Sequence, residues 1–176
     1  MTISIPYQPR RFTFVQPAAY GWAIVFIAGN LLLPQLCHLV PSGGRVLLPI
    51  YFFTLIGAYW SGITVGLLTA LLSPLVNNWI FQMPPAQALP VIMIKSVLLA
   101  ISAAFVATRF RRLSLLHLLL VIVIYQLIGS SIEWMLTGSL QAALQDLVLG
   151  WPGMLLQLIG GYLLLRTLER NEHKDH

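Results

Sequence analysis

From Val46 to Phe81 the chain runs 36 residues without an Asp, Glu, Lys or Arg. A soluble domain carries about one charged residue in four, so a run of this length is solvated by lipid or buried by its own fold. Further apolar runs, each with at most a few ionisable residues, cover Ala18 to Leu36, Leu89 to Ala107, Leu113 to Trp134 and Leu149 to Leu168. Over all 176 residues, 58% are hydrophobic and 9% charged. The chain reads as an all-α integral membrane protein, which excludes a soluble enzyme and a disordered adaptor. One bundle of about six spans, at ~20 residues each, fills the length. No second domain fits, and no Gly-x-x-x-x-Gly-Lys-Ser/Thr loop is present.

The breaks divide the chain into six helices. The first ends at Cys37-His38, with Pro34 placed to kink or stop it. Pro41-Ser42-Gly43-Gly44-Arg45 is a loop. The long run must be split, and Ser61-Gly62 is its only plausible turn, giving helices over Val46–Trp60 and Ile63–Phe81. Gln82-Met83-Pro84-Pro85-Ala86-Gln87 breaks the chain again, because consecutive prolines cannot continue a helix. A fourth helix then stops at Arg109-Phe110-Arg111-Arg112, a fifth covers Leu113–Trp134, and a polar connector through Gln141, Gln145 and Asp146 leads to a sixth over Leu149–Leu168. The expected organisation is a segment over 1–17, a membrane domain over 18–168 and a tail over 169–176.

The net charge of +5 does not point to nucleic acid, because the basic residues fall in small groups between apolar segments. Six spans put both termini on one side. With the termini cytoplasmic, the inner segments hold Arg10, Arg11, Arg109, Arg111, Arg112, Arg166, Arg170 and Lys174, and the outer loops hold Arg45 alone. That is the positive-inside bias. The first seventeen residues lack the apolar core of a cleavable signal.

The same topology gathers the unusual side chains at the outer end: His38, Arg45, Asn77, Asn78, Trp79, Gln82, Lys95, Glu133, Trp134, Asp146 and Trp151. Lys95 lies inside the fourth helix, in Ile92-Met93-Ile94-Lys95-Ser96, where a cation costs about 3 kcal/mol on insertion scales. It binds a ligand or snorkels to the outer headgroups. Asn77 and Asn78 serve a ligand or bond between helices, and the tryptophans stack on a flat ligand or form an interfacial belt. Glu133 is an isolated acid, so catalysis has little support. Cys37-His38 lacks the further ligands of a metal site. A lone cysteine forms no intrachain disulfide. Ala19 and Ala23, four apart, allow close approach of another helix, inside the bundle or from a partner.

Several of these segments together resemble a known family. Leu33-Pro34-Gln35-Leu36-Cys37-His38-Leu39-Val40-Pro41-Ser42-Gly43-Gly44-Arg45-Val46-Leu47-Leu48-Pro49-Ile50 resembles the first outer loop and second-helix start of the substrate-binding S components of energy-coupling factor (ECF) vitamin transporters. Gly57–Leu75 is similar to their Gly-rich helix pair, and Gln82-Met83-Pro84-Pro85 to their Gly-Met-Pro-Pro turn. The likeness spans residues 19–107. It departs at Ile50-Tyr51, where many relatives have Met-His, and at Lys95, near which many have an acid; both positions fall at the expected pocket, which includes Tyr51.

The resemblance implies a bacterial inner-membrane subunit that captures a vitamin or vitamin precursor from outside. It would dock on a membrane coupling subunit driven by two ATPases, through the Ala19/Ala23 face. No cofactor is implied for the chain itself, since ATP is hydrolysed by the partners. Arg45 and Lys95 then favour a ligand with a carboxylate, phosphate or other acceptor-rich group. The rival readings are a membrane enzyme acting on a lipid or polyprenyl substrate and a structural subunit of a larger membrane complex.

Overall fold

A computed structural model describes residues 5–7, 9–37 and 46–172. The elements are β1 (Ile5–Pro6), α1 (Pro17–Cys37), a 3-10 turn (Pro49–Tyr51), α2 (Phe52–Ser61), α3 (Ile63–Phe81), α4 (Leu89–Phe110), β2 (Arg112–Leu113), α5 (Leu115–Thr137), α6 (Leu140–Leu149), α7 (Trp151–Leu155), a π-helical turn (Leu156–Gly160) and α8 (Gly161–Glu172).

Local chemistry explains the boundaries. Gly62, at φ +86°, ends α2 and starts α3 in a conformation that side chains disfavour. Its missing Cβ also leaves room for the Arg10 carbonyl, 2.9 Å from where that atom would sit. Ser114 caps α5 by accepting from the His117 amide, and Ser139 caps α6 by accepting from Ala142. Gly138, at φ +65°, stops α5. Pro34 neither stops α1 nor faces outward: it is buried, and the helix continues to Cys37.

Four helices are long and apolar enough to cross a membrane: α1, α3, α4 and α5. A fifth crossing is obtained if α6 and the helix from Trp151 to Asn171, bent by 52°, count as one span. The chain is thus an all-α, multi-pass membrane protein, but the described residues do not contain six full-length spans. The expected second helix over Val46–Trp60 is the main difference. Leu48 takes a left-handed conformation and Pro49 opens a 3-10 turn, so α2 begins only at Phe52. Its 10 residues rise about 15 Å, half of the ~30 Å hydrocarbon core. Nine of its residues are buried; α1, α3, α4 and α8 pack around it. The expected sixth helix from Leu149 instead begins as α6 at Leu140 and breaks at Gly150.

The interior is cross-linked by a satisfied amide. Asn30 donates to Thr54 Oγ1 at 3.0 Å and Ser73 Oγ at 3.1 Å, and accepts from the Phe53 amide at 3.0 Å. One side chain on α1 thereby fixes α2 and α3, and no polar atom of it is left without a partner.

The segment before α1 is docked. Ile5 and Pro6 pair antiparallel with Leu113 and Arg112. The buried Tyr7 donates its hydroxyl to the Tyr59 carbonyl at 3.0 Å, and the Arg10 amide donates to the Trp60 carbonyl. This segment, the α2–α3 turn and the α4–α5 connection therefore meet at one end of the bundle, with Arg10, Arg11, Arg109, Arg111 and Arg112. The far end carries the α3–α4 and α5–α6 connections.

Candidate functional site

Near the far end, α4 and α5 pack against each other. Lys95 enters from α4, two turns after its start, and its stem crosses α5 at Gly129. A Cβ on Gly129 would sit 2.8 Å from Lys95 Cγ, so the glycine forms the notch that admits the lysine. The ammonium ends between two carboxylates. Lys95 Nζ lies 2.6 Å from Glu133 Oε2 and donates a hydrogen bond of 2.7 Å to Asp146 Oδ2. The contact with Glu133 is a charge pair without hydrogen-bond alignment. Lys95 is 1% exposed, Glu133 15% and Asp146 26%, so the lysine is the floor and the acids face outward.

α6 makes this possible. Gly138 turns the chain after α5, Ser139 restarts the helix, and α6 returns along α5 far enough for Asp146 to reach Lys95. A buried cation in lipid needs such a partner, and here the chain supplies two.

Beside the ion pairs is a polar cluster with unfilled valences. The Tyr51 ring, at the end of the 3-10 turn, lies 5.8 Å from the Tyr125 ring and within electrostatic reach of Asp146 and Glu133. Tyr125 donates to Gln157 Oε1 at 3.1 Å and accepts from Gln126 Nε2 at 3.3 Å. Gln157 sits in the π-helical turn, a distortion that concentrates at functional sites. Gln126 Oε1, Gln157 Nε2 and Ser130 Oγ are buried and have no partner. Gln126, Ser130 and Glu133 share one face of α5, at spacings of four and three. Buried polar groups are normally paired, and each one left open costs about 1–3 kcal/mol. Beyond Gln126, an apolar groove of about 190 Å³ runs between α5 and the α6–α7 bend, with Leu119, Ile122, Leu127, Leu147 and Met154 in its walls.

Among the residues expected at the pocket, Tyr51, Lys95 and Glu133 converge. Asn77 is buried with Oδ1 unpartnered, whereas Asn78 donates to the Pro84 carbonyl at 2.6 Å and holds the α3–α4 connection. Gln82 is the exposed left-handed cap of α3 and bonds back to Trp79. Trp79, Trp134 and Trp151 all stand on the outside of the bundle, the placement of an interfacial belt. His38 and Arg45 lie outside the described residues. Ala19 and Ala23 are in the core, buried within the chain; of the two roles the sequence offers this small-residue face, the structure shows packing of α1 against its own bundle. The sequence offers Lys95 a ligand anion or the outer headgroups, and in the structure the anions it meets are Glu133 and Asp146.

Sequence reasoning placed Asp146 in a polar connector and passed over Tyr125, Gln126, Ser130 and Gln157. The helical spacing of Gln126, Ser130 and Glu133 inside an apolar run was the available signal. Among the described residues no group of three His, Cys, Asp or Glu side chains could hold a metal ion. Searches against protein-family models, curated proteins and solved structures find no match to this chain.

Proposed function

We propose that the chain is a membrane-embedded substrate-binding subunit for uptake of a vitamin or vitamin precursor, working with a membrane coupling subunit and two ATPases. The observation that carries this reading is the polar cluster of Lys95, Glu133 and Asp146 with the open valences of Gln126, Ser130 and Gln157. It sits where two short helices, α2 and α6, start or break inside the bundle. Substrate sites in transporters form at such discontinuous helices, because backbone and polar side chains are tolerated at that depth only around a cavity.

The basic end, with Arg10, Arg11, Arg109, Arg111 and Arg112, faces the cytoplasm on the positive-inside rule. The cluster then opens to the outside of a bacterial inner membrane, as capture requires. A six-crossing topology with both termini inside counts α2, extended by its 3-10 turn, and the bent α6–α8 unit as crossings. Catalysis fits less well, since an ammonium held by two carboxylates offers no lone pair for attack.

The test is paired. The chain is purified gently and examined by native mass spectrometry for a co-purified small molecule. The same chain is expressed with and without an ECF coupling module in a strain that cannot take up that molecule. Uptake that requires both supports the proposal; uptake independent of the chain refutes it.

A further inference from the structure

Among the described residues, the charges at the cluster do not balance. One ammonium, Lys95, faces two carboxylates, Glu133 and Asp146, which leaves one negative charge in excess. Among the described residues, the other ionisable groups facing the cluster are Tyr51 and Tyr125, phenols that add no positive charge. The described arginines at the opposite end are separated from it by most of the bundle. An excess charge at a partly buried site costs free energy until a counter-charge arrives.

The surrounding atoms narrow the counter-charge. Gln126 Oε1 is a buried acceptor without a donor, Gln157 Nε2 is a buried donor without an acceptor, and Ser130 Oγ can serve as either. A metal ion prefers a shell of oxygens and would be repelled by the amide donor. A nitrogenous ligand satisfies both kinds of atom. The paired rings of Tyr51 and Tyr125 offer π faces that attract organic cations. The partial exposure of Glu133 and Asp146, above a fully buried lysine, puts the negative charge on the approach side.

We infer that the ligand of this site is a small organic cation, an ammonium or a cationic nitrogen heterocycle, that pairs with Glu133 and Asp146 and also carries a hydrogen-bond acceptor. The inference rests on the binding-subunit reading and specifies its substrate class. It reverses the charge expected from Lys95 alone. Lys95 acts as a positioning residue that holds the two carboxylates together.

The test uses three probes with the same ring and different charge: benzylammonium, benzyl alcohol and benzoate. Thermal unfolding of the full purified chain in micelles is followed as each is titrated. Benzylammonium raises the Tm of the wild type, and the other two leave it unchanged. Glu133→Gln and Asp146→Asn each weaken the benzylammonium response by about tenfold or more. The wild-type series decides the charge even if neither variant folds. Benzoate stabilisation equal to or above that of benzylammonium overturns the inference, as does the absence of any benzylammonium effect. If Arg45→Gln abolishes a benzoate effect, the loop arginine makes this an anion site, and the inference fails. Uptake of an anionic molecule that requires the chain and the coupling module leaves the binding-subunit reading intact and sinks the cation alone. A benzylammonium response in a chain that supports no uptake does the reverse.

Discussion

Replacing Lys95 with Met separates a lone membrane lysine from one that anchors a cluster. As an isolated cation in an apolar helix, Lys95 should be costly, and Lys95→Met should leave stability unchanged or raise it. The structure gives the opposite sign. Both carboxylate oxygens lie within 2.7 Å of one nitrogen, so without it Glu133 and Asp146 face each other at no more than about 5 Å. At an effective dielectric of 20, two unit charges at that distance repel by about 3 kcal/mol. Breaking a buried ion pair by removing one partner costs a similar ~3–5 kcal/mol. The partial exposure of both acids moves the expectation to the low end, about 2–3 kcal/mol of destabilisation. Neutralising the acids in the same background, as Lys95→Met/Glu133→Gln/Asp146→Asn, should return stability to within about 1 kcal/mol of wild type, since well-packed neutral replacements of buried ion pairs are often close to neutral. Equilibrium unfolding in mixed micelles titrated with SDS, followed by tryptophan fluorescence, measures both steps. A Lys95→Met protein as stable as wild type, or a triple variant no better than the single, would refute the ion-pair account.

At the notch, Gly129→Ala gains about 1 kcal/mol of helix propensity against roughly 1–3 kcal/mol of crowding on the Lys95 stem; SDS unfolding should show a small net change, while Gly129→Leu should lower stability clearly. Ala23→Leu overfills the core and should cost about 1–3 kcal/mol, read as a lower Tm of the purified chain; a normal Tm with lost uptake would instead restore a partner contact at that face. With Cys37 replaced by Ser, a cysteine at Arg111 should resist an impermeant thiol reagent in intact cells and one at Ser42 should react; the reverse pattern inverts the topology.

Helix boundaries set by a local cause were legible in the sequence. Ser61-Gly62, Pro84-Pro85 and Arg109–Arg112 mark turns through backbone conformation or charge, and α3 runs over Ile63–Phe81, between the first two of these breaks. Segments whose lengths depend on neighbours were not. Nothing in Val46–Trp60 announces that α2 will be enclosed by four helices and so need not span lipid. α6 was hidden by its polarity, because Gln141, Gln145 and Asp146 resemble a surface loop until Asp146 is seen against Lys95. The site divides in the same way. A lysine inside an apolar run stands out by itself, but its partner on α6 lies 51 residues away, and only the folded chain pairs them. For the tryptophans the sequence favours the interfacial belt over stacking on a ligand, and their exposure places them on the surface.

The docked segment before α1 also has a consequence for biogenesis. Its pairing partner, Arg112–Leu113, is synthesised about a hundred residues later, after all of α1 to α4. The strand made first therefore waits undocked while α1 to α4 are made. Tyr7 cannot close the hydrogen-bonded seam to both the Tyr59 and Arg111 backbones until α4 is in place. A protease that cleaves after tyrosine would then cut at Tyr7, buried once the seam closes, in nascent and half-inserted chains and spare it in finished ones.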